Sequence, residues 1–295
     1  MTTAARAAQA SLVGLLWQLR NADGGWPYLS GRQSRLESTC WALLGTGAGV
    51  DTTPLRAWVN QDGLLTEPAT GHVNYTFNAL AALAAGADGD RPQPITRGIV
   101  NGLLAVQGVV IDASPVIQQD TTLQGWSWTP GTFTWVEPTA WALLALKRWP
   151  GDPADTRRRV DVAERVLRDR ACAGGGWNFG NGVVYGSALP AHVPPTAAGV
   201  MALQDRASDS LVIDAVGYLE RHARLEGSTT ALALSALALM ILGRPSGDIV
   251  DALVARCAQA DRSSNAAVLG MAACALGAAV TGVPPRALAL AGARS

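Results

Sequence analysis

The strongest constraint on the fold of this chain is a pattern that recurs along it: a polar residue, a small residue two positions later, usually Thr, and then a run rich in Ala and Leu. Internal repeats of this length indicate an architecture in which one unit stacks on the next. Each copy is predicted to be a helix, because Ala and Leu have high helix propensity and Ser, Asn or Pro marks the first turn. The copies lie at 37–44, 74–83, 137–146, 194–203, 228–239 and 265–276.

These six helices are apolar nearly all round, so we expect them to be buried on every side. More amphipathic segments lie between them and predict outer helices. They span 4–20, 52–60, 95–106, 156–169, 209–223 and 247–258. We therefore predict an all-α, single-domain (α/α)6 toroid, with an inner ring of helices inside an outer ring. Its repeats span approximately 4–50, 51–90, 91–150, 151–206, 207–243 and 244–285. An open solenoid is the alternative, and the apolar last copy favours closure because a solenoid needs polar ends.

Composition narrows the class of protein. Lys and Arg number 23, as do Asp and Glu, so the formal net charge is +0 and there is no field to attract nucleic acid or an anionic membrane. The four cysteines form no CxxC pair, which favours reduced thiols and a cytoplasmic location. No signal-peptide pattern begins the chain. The uncharged segment 266–283 is mostly Ala and Gly, so we interpret it as a buried helix and expect no transmembrane segment.

Loops rich in Gly and Trp precede several of the buried helices. Gly allows a sharp turn at positive φ, and a Trp ring can fill the seam between neighbouring helix pairs. The segments GLLWQLRNADGGW (14–26) and GWSWTPGTFTWVEPTAWALLAL (125–146) show the arrangement best. In them the chain resembles the repeat of the squalene/hopene-cyclase and protein-prenyltransferase β-subunit superfamily, over essentially its whole length. The last two copies lack the Trp loop.

The resemblance implies a terpenoid-cyclase-like protein that binds an isoprenoid or another hydrophobic small molecule in a central cavity. In class II cyclases of this superfamily the proton donor is the middle Asp of a DxDD motif followed by Thr-Ala. The closest segment here is 135–140, WVEPTA, in which Glu137 falls on the donor position while Trp135 and Pro138 replace the flanking aspartates. The chain resembles a stand-alone toroid without DxDD. The resemblance thus suggests acid-catalysed cyclisation or isomerisation with Glu137 as the acid.

The β-subunits of the prenyltransferases bind zinc through an Asp, a Cys and a His, and this chain contains no matching D-x-C. We therefore expect no metal and no other cofactor. Any catalysis would be metal-independent.

The repeat register predicts which side chains share one mouth of the ring. Glu37, Asn74 and Glu137 lie two residues before the small position, whereas His72, Trp135 and His192 lie four before it. Two carboxyl groups in a low-dielectric cleft can have different pKa values, which suits general acid–base catalysis. The catalytic candidates are Glu137, Glu37, Asp120, His72 and His192; the ligand-binding candidates are Trp135, Trp126, Trp128, Asn74, Tyr75, Phe133 and Tyr185.

Each candidate also has a structural interpretation. The glutamates can serve free N–H groups at helix N-termini, and the histidines can be satisfied structural residues. Most of the ten Trp side chains are better explained as core or as staples between repeats. The segment 108–124 is a candidate lid, because long loops in compact domains are often functional.

Three functions remain open from the sequence. The first is the terpene-cyclase-like toroid, with peripheral membrane contact left open. The second is a non-catalytic binding or scaffolding toroid that engages a protein partner or a second copy of the chain, with its cavity filled by its own side chains. The third is a carbohydrate-active α/α toroid, which needs an open groove and a carboxylate pair.

Overall fold

The computed structural model describes residues 3–47, 51–87, 89, 91–114 and 116–291. Over these residues the protein is helical, with twelve α-helices and two strands of two residues each, which confirms the all-α prediction. Val50 and Asp90, where two repeat boundaries are predicted, lie outside the described residues. The elements are α1 (Thr3–Leu19), α2 (Leu36–Thr46), α3 (Thr53–Arg56), α4 (Tyr75–Ala85), α5 (Pro94–Ala105), α6 (Val136–Arg148), α7 (Pro153–Asp169), β1 (Val183–Val184), β2 (Ser187–Ala188), α8 (Val193–Ala202), α9 (Ser210–Glu226), α10 (Thr229–Ile241), α11 (Gly247–Cys257) and α12 (Ala266–Thr281).

The even-numbered helices α2, α4, α6, α8, α10 and α12 correspond to the six apolar copies of the repeat, and nearly all of their residues are buried. Each contacts the next in chain order, and α12 contacts α2. The order of contacts therefore returns to the helix from which it started. This arrangement explains why these segments are apolar nearly all round, since every face meets another helix.

Helices α2 and α12 pack with their backbones close together. A Cβ placed on Gly270 would lie 2.5 Å from the carbonyl oxygen of Trp41, and one placed on Gly45 would lie 2.6 Å from the carbonyl oxygen of Gly270. Only glycine fits at these two positions. The contact between the first and last apolar helices is therefore specified by two residues.

Five of the remaining helices pack against these six, for example α5 on α4 and α7 on α6. In α7, for example, Ala163, Val166 and Leu167 are buried, whereas most of its charged side chains are at least partly exposed. The predicted outer helix 52–60 is wrong in length, because α3 ends at Arg56. Beyond it Val59 pairs with Leu65 as an isolated β-bridge, so the chain has already turned back.

A recurring clamp joins the loops to the buried helices. The hydroxyl of Thr39 accepts the backbone N–H of Trp26 at 2.9 Å, and Thr196 accepts that of Trp177 at 2.9 Å. The two indole N–H groups donate to carbonyl oxygens of α1 and α7, at Leu16 and Leu167, both at 2.6 Å. Each Trp is 0% exposed. The predicted stapling role of these two tryptophans is thus what the contacts describe.

The residue two positions after the clamped one reaches a neighbouring repeat. The carbonyl of Tyr28 accepts from Ala266 N of α12 at 2.9 Å, that of Trp128 from Tyr75 N of α4 at 3.0 Å, and that of Phe179 from Val136 N of α6 at 3.0 Å. These are free N–H groups at helix N-termini, which need an acceptor. The loops therefore hold neighbouring repeats together and reach the ends of the buried helices where the candidate glutamates lie.

Candidate functional site

The N-termini of α2, α4 and α6 place three side chains at equivalent positions. The residues preceding these helices are Arg35, Asn74 and Trp135, and two residues further on stand Glu37, Thr76 and Glu137. The register predicted from sequence is off by two in the second repeat. Asn78, not Thr76, makes the clamp there, because its side-chain amide bonds the N–H and carbonyl of Leu65 at 2.7 and 2.9 Å.

This offset changes the interpretation of the histidines. His192 directly precedes α8, whereas His72 lies two residues before Asn74, so the two do not share a position in their repeats. Both are exposed. The His192 ring packs against Phe179 with ring centroids 5.8 Å apart, and His72 is fixed through its backbone.

Glu37 lies within a cluster of polar side chains. The hydroxyl of Tyr28 donates to its Oε2 at 2.5 Å, and the guanidinium of Arg35 covers the Tyr28 ring at 4.7 Å from the centroid. Burial raises the pKa of Glu37, while the Tyr28 hydrogen bond and Arg35 act in the opposite direction. Tyr28 in turn has a pKa raised by burial and by the charge of Glu37.

Arg35 is itself held by a second carboxylate. Its Nε lies 2.7 Å from Oε1 of Glu67, which is only 5% exposed. The same carboxylate accepts weakly from the backbone N–H of Leu36, the first residue of α2, at 3.4 Å. Glu67 therefore neutralises Arg35 and caps the helix that carries Glu37, as a carboxylate at a helix N-terminus does.

Glu137 has a different set of neighbours. The indole N–H of Trp141, one turn along α6, hydrogen-bonds its carboxylate. Burial, followed by the charge of Glu37, raises the pKa of Glu137 to about 7. Since the residue still reaches solvent in part, the carboxyl lies at a desolvated position that opens outward. Glu137 therefore keeps its proton to a higher pH than an ordinary glutamate does.

Two tryptophans lie one turn below the glutamates. Trp41 of α2 and Trp141 of α6 meet edge to face, with ring centroids 5.7 Å apart, and are 1% and 2% exposed. Helix α4 contacts both α2 and α6, so this pair joins two helices that are not neighbours in the order of contacts. The space beneath the two carboxylates is therefore filled by indole rings.

Aromatic side chains extend outward from Glu137. The rings of Trp135 and Phe133 lie 4.9 Å apart between centroids, and Phe133 is 41% exposed. Gly180 packs on the Trp135 ring, where a Cβ would come within 3.0 Å of an indole carbon. Phe179, also 41% exposed, continues this surface. We name Phe133, Trp135 and Phe179 the aromatic rim.

A depression lies next to the polar cluster, at Tyr28 and Arg35. It has a volume of about 450 Å³, within the range of small-molecule sites. Its lining includes Tyr28, Leu29 and Arg35. A ligand in this depression would contact the two side chains that position Glu37.

Three of the predicted ligand-binding residues have structural contacts. The side chain of Asn74 accepts from Phe77 N at 3.0 Å as the cap of α4, and Trp128 binds Tyr75 through its carbonyl. The Tyr75 side chain is 6% exposed and lines a separate cavity of about 480 Å³ beside α5. None of these contacts joins them to the glutamates.

Other predicted residues lie apart from the pair. Trp126 is 0% exposed and its N–H donates to the Leu103 carbonyl at 3.0 Å, so its buried ring offers no surface to a ligand. Asp120 is half-buried, and the Thr122 hydroxyl and N–H lower its pKa, which suits an anion and not an acid. Tyr185 is 75% exposed at the tip of the β1–β2 hairpin, with φ 50.

The segment 108–124, predicted as a candidate lid, is bound by two buried arginines. Arg159 donates to the carbonyls of Gln124 and Val106 at 2.6 and 2.9 Å, and Arg170 donates to that of Asp120 at 3.2 Å. Pro115 lies outside the described residues. These bonds fix both ends of the segment against α7 and the residue that follows it.

Sequence reasoning did not single out Tyr28 or Glu67 as site residues. Both stand two positions after a clamped residue, at the position that reaches a neighbouring helix, as Trp128 and Phe179 do. An alignment of the loops on their clamped residues would have found both. In the second repeat the clamped residue is Leu65 and not Trp, so the spacing to Glu67 is hard to recognise in the sequence.

Within the described part of the chain, no group of three or more His, Cys, Asp or Glu side chains could hold a metal ion. No helix there is both long and apolar enough to cross a membrane. Comparison of the chain with models of known protein families gives no match, and comparison with curated proteins gives none.

Proposed function

We propose that the protein is a terpenoid-cyclase-like (α/α)6 toroid that binds an isoprenoid-like hydrophobic molecule at the mouth formed by the inner-helix N-termini, where Glu137 acts as a general acid. The observation that carries the proposal is the unequal pair of glutamates. Glu37 has a phenol and a guanidinium beside it, whereas Glu137 has only an indole N–H and the charge of Glu37.

The ring architecture is supported by the order of helix contacts, which runs from α2 to α12 and back to α2. It is supported further by the bond from Ala266 N to the Tyr28 carbonyl, which ties the first repeat to the last. In such a ring the N-termini of the apolar helices converge. Their partial positive charges stabilise anions at that mouth.

The chemistry follows from the two protonation states. The Glu137 carboxyl can transfer its proton to a carbon–carbon double bond, which leaves a carboxylate and a carbocation on the ligand. The face of Trp135, which is only half-buried, can stabilise that cation. Loss of a proton from the ligand to the anionic Glu37 then completes an isomerisation or a cyclisation, and the pair again holds one proton.

A buried hydroxyl group without a hydrogen-bond partner is the second observation that supports the proposal. The hydroxyl of Thr76 is buried and has no hydrogen-bond partner among the described residues. Thr76 stands on α4 at the position equivalent to those of the two glutamates, and α4 contacts both of their helices. A buried hydroxyl without a partner is costly, and water or a ligand at the mouth can satisfy it.

The test uses farnesol as an acyclic isoprenoid probe, with Trp fluorescence for binding and gas chromatography for product. We expect wild-type protein to bind farnesol and convert it. Glu137→Gln should bind it equally and lose at least about 100-fold in rate, since general acids contribute about 10²–10⁴. Glu226→Gln, at an exposed site, is the matched control. Unchanged turnover in Glu137→Gln would overturn the acid assignment.

A non-catalytic binding toroid is the second candidate, and the Trp41–Trp141 contact favours it. Those rings fill the space below the glutamates, as expected for a ring packed by its own side chains. This candidate predicts that farnesol produces no change in Trp fluorescence up to its solubility limit. Binding without conversion in the wild-type protein would instead indicate a carrier of the same ligand class.

A further inference from the structure

The two glutamates occupy equivalent positions but differ in their hydrogen-bond donors. Glu37 receives the Tyr28 hydroxyl at 2.5 Å, a short distance for an O–H···O bond. Among the described residues, no hydroxyl and no cation acts on the Glu137 carboxyl. Since the side chains are identical, any difference in their protonation must come from their burial and from these neighbours.

The donor to Glu37 is fixed from several directions. The Tyr28 carbonyl binds Ala266 N, its ring lies under the Arg35 guanidinium, and Arg35 is in turn held by Glu67. The phenol therefore has little freedom to leave the carboxylate. A preorganised donor of this kind favours the charged form of the group to which it donates.

We propose that Tyr28 is a positioning residue: its hydroxyl holds Glu37 as the anion and thereby leaves the single proton of the pair on Glu137. The inference rests on the proposed function, because it explains how Glu137 stays protonated as the acid. It adds a residue outside the pair that determines which glutamate is acid and which is base.

Several charged or titratable groups lie around the pair. Glu37 faces Tyr28, Arg35, Glu67 and the buried thiol of Cys40, in addition to Glu137. Arg35 and Glu67 form an ion pair and largely cancel. The thiol has a pKa well above its usual value because it is buried, so it carries no charge at neutral pH. The Tyr28 hydroxyl remains as the main donor.

The test is a carboxyl ¹³C NMR titration of the whole protein labelled at Glu Cδ, with Glu37→Gln and Glu137→Gln used to assign the two signals. In Tyr28→Phe we expect the Glu37 midpoint to rise by about one pH unit, the effect of losing one charge-assisted bond. The Glu137 midpoint should fall in the same variant, because Glu37 no longer repels its charge. Tyr185→Phe removes a hydroxyl at a residue that is 75% exposed and should change neither midpoint.

The outcomes separate this inference from the proposed function. Unchanged midpoints for both glutamates in Tyr28→Phe would overturn the role of Tyr28. A Glu137 fully ionised at neutral pH in wild-type protein would overturn its role as an acid, even where the Tyr28 effect on Glu37 is present. A downfield phenolic proton signal in the wild-type protein that Glu37→Gln removes tests the bond without a Tyr28 variant, and its absence would count against it.

Discussion

Repeats one to four and repeats five and six stabilise their apolar helices in different ways. In the first four, a long connection carries a clamped residue that is hydrogen-bonded to the following helix, as in the Trp26–Thr39 and Trp177–Thr196 pairs. In the last two, no such clamp is formed within the described residues. There Ser228 and Asn265 cap α10 and α12 with their own side chains.

Both groups of helices are equally buried, so the fold does not need the long connections in every repeat. What the connections of repeats one to four add is a set of side chains above the helix N-termini. Tyr28, Glu67, Trp135 and Phe179 all belong to them or border them. The loops of repeats one to four therefore both staple the repeats together and build the candidate site.

The largest expected effect concerns the clamped tryptophans. We expect Trp26→Ala and Trp177→Ala each to lower the free energy of unfolding by about 3–5 kcal/mol, because a fully buried ring and its hydrogen bonds are removed. Trp17→Ala, at a residue 44% exposed, is the control and should cost less than about 1 kcal/mol. Urea unfolding measures all three. Equal losses of unfolding free energy in Trp17→Ala and Trp177→Ala would show that the clamped tryptophan contributes no more to stability than the exposed one.

A smaller effect on stability is expected from the desolvated carboxyl of Glu137. The sixth repeat has Ala267 at the equivalent position. The pKa of Glu137 is about 7 in the folded protein, above its ordinary 4.5, so folding takes up a proton between these values and stability falls as pH rises through that window. Glu137→Gln should therefore be more stable than wild type by about 2–3 kcal/mol above pH 8, with no gain below pH 4.

Thermal unfolding from pH 4 to 9 measures this difference, and Glu226→Gln should leave the wild-type pH profile unchanged. A wild-type curve parallel to that of Glu137→Gln would show that the carboxyl is ionised normally.

The smallest effect on stability is expected at the N-terminal caps of α10 and α12, in repeats five and six. Ser228→Ala and Asn265→Ala remove side-chain acceptors for Ala231 N and for Ala267 N, respectively, at 3.1 and 2.9 Å. Each should cost about 1 kcal/mol in urea unfolding, the usual value for a cap. Conservative Ser228→Thr should retain most of the stability. A loss as large as that of Trp177→Ala would mean that these caps replace the whole clamp.

Much of the fold could be predicted because it depends on local pattern. The six apolar helices follow from Ala- and Leu-rich runs that are apolar on every face, and α7 from a single apolar stripe. The failure at 52–60 has a local cause, because Val59 pairs across a turn with Leu65. Helix propensity alone does not report such a pairing across a turn.

The candidate site was only partly predictable for a different reason. Glu37 and Glu137 follow from the repeat register, whereas the roles of Tyr28 and Glu67 depend on contacts between neighbouring repeats. Trp126 and Asp120 stand in the same loop, yet Trp126 is fully buried and Asp120 bonds to Thr122 of its own loop. Loop side chains follow no period from which their direction could be inferred.

The glycine contact between α2 and α12 has a consequence for how the protein is made. Synthesis proceeds from the N-terminus, so α2 leaves the ribosome more than two hundred residues before Gly270 and the N-terminal residues of α12. Until then its apolar face at Gly45 and the carbonyl of Tyr28 lack their final partners. Contacts that join distant parts of a chain form slowly. The first part of the chain to be translated is therefore among the last to be completed, and the Tyr28–Glu37 pair matures with it.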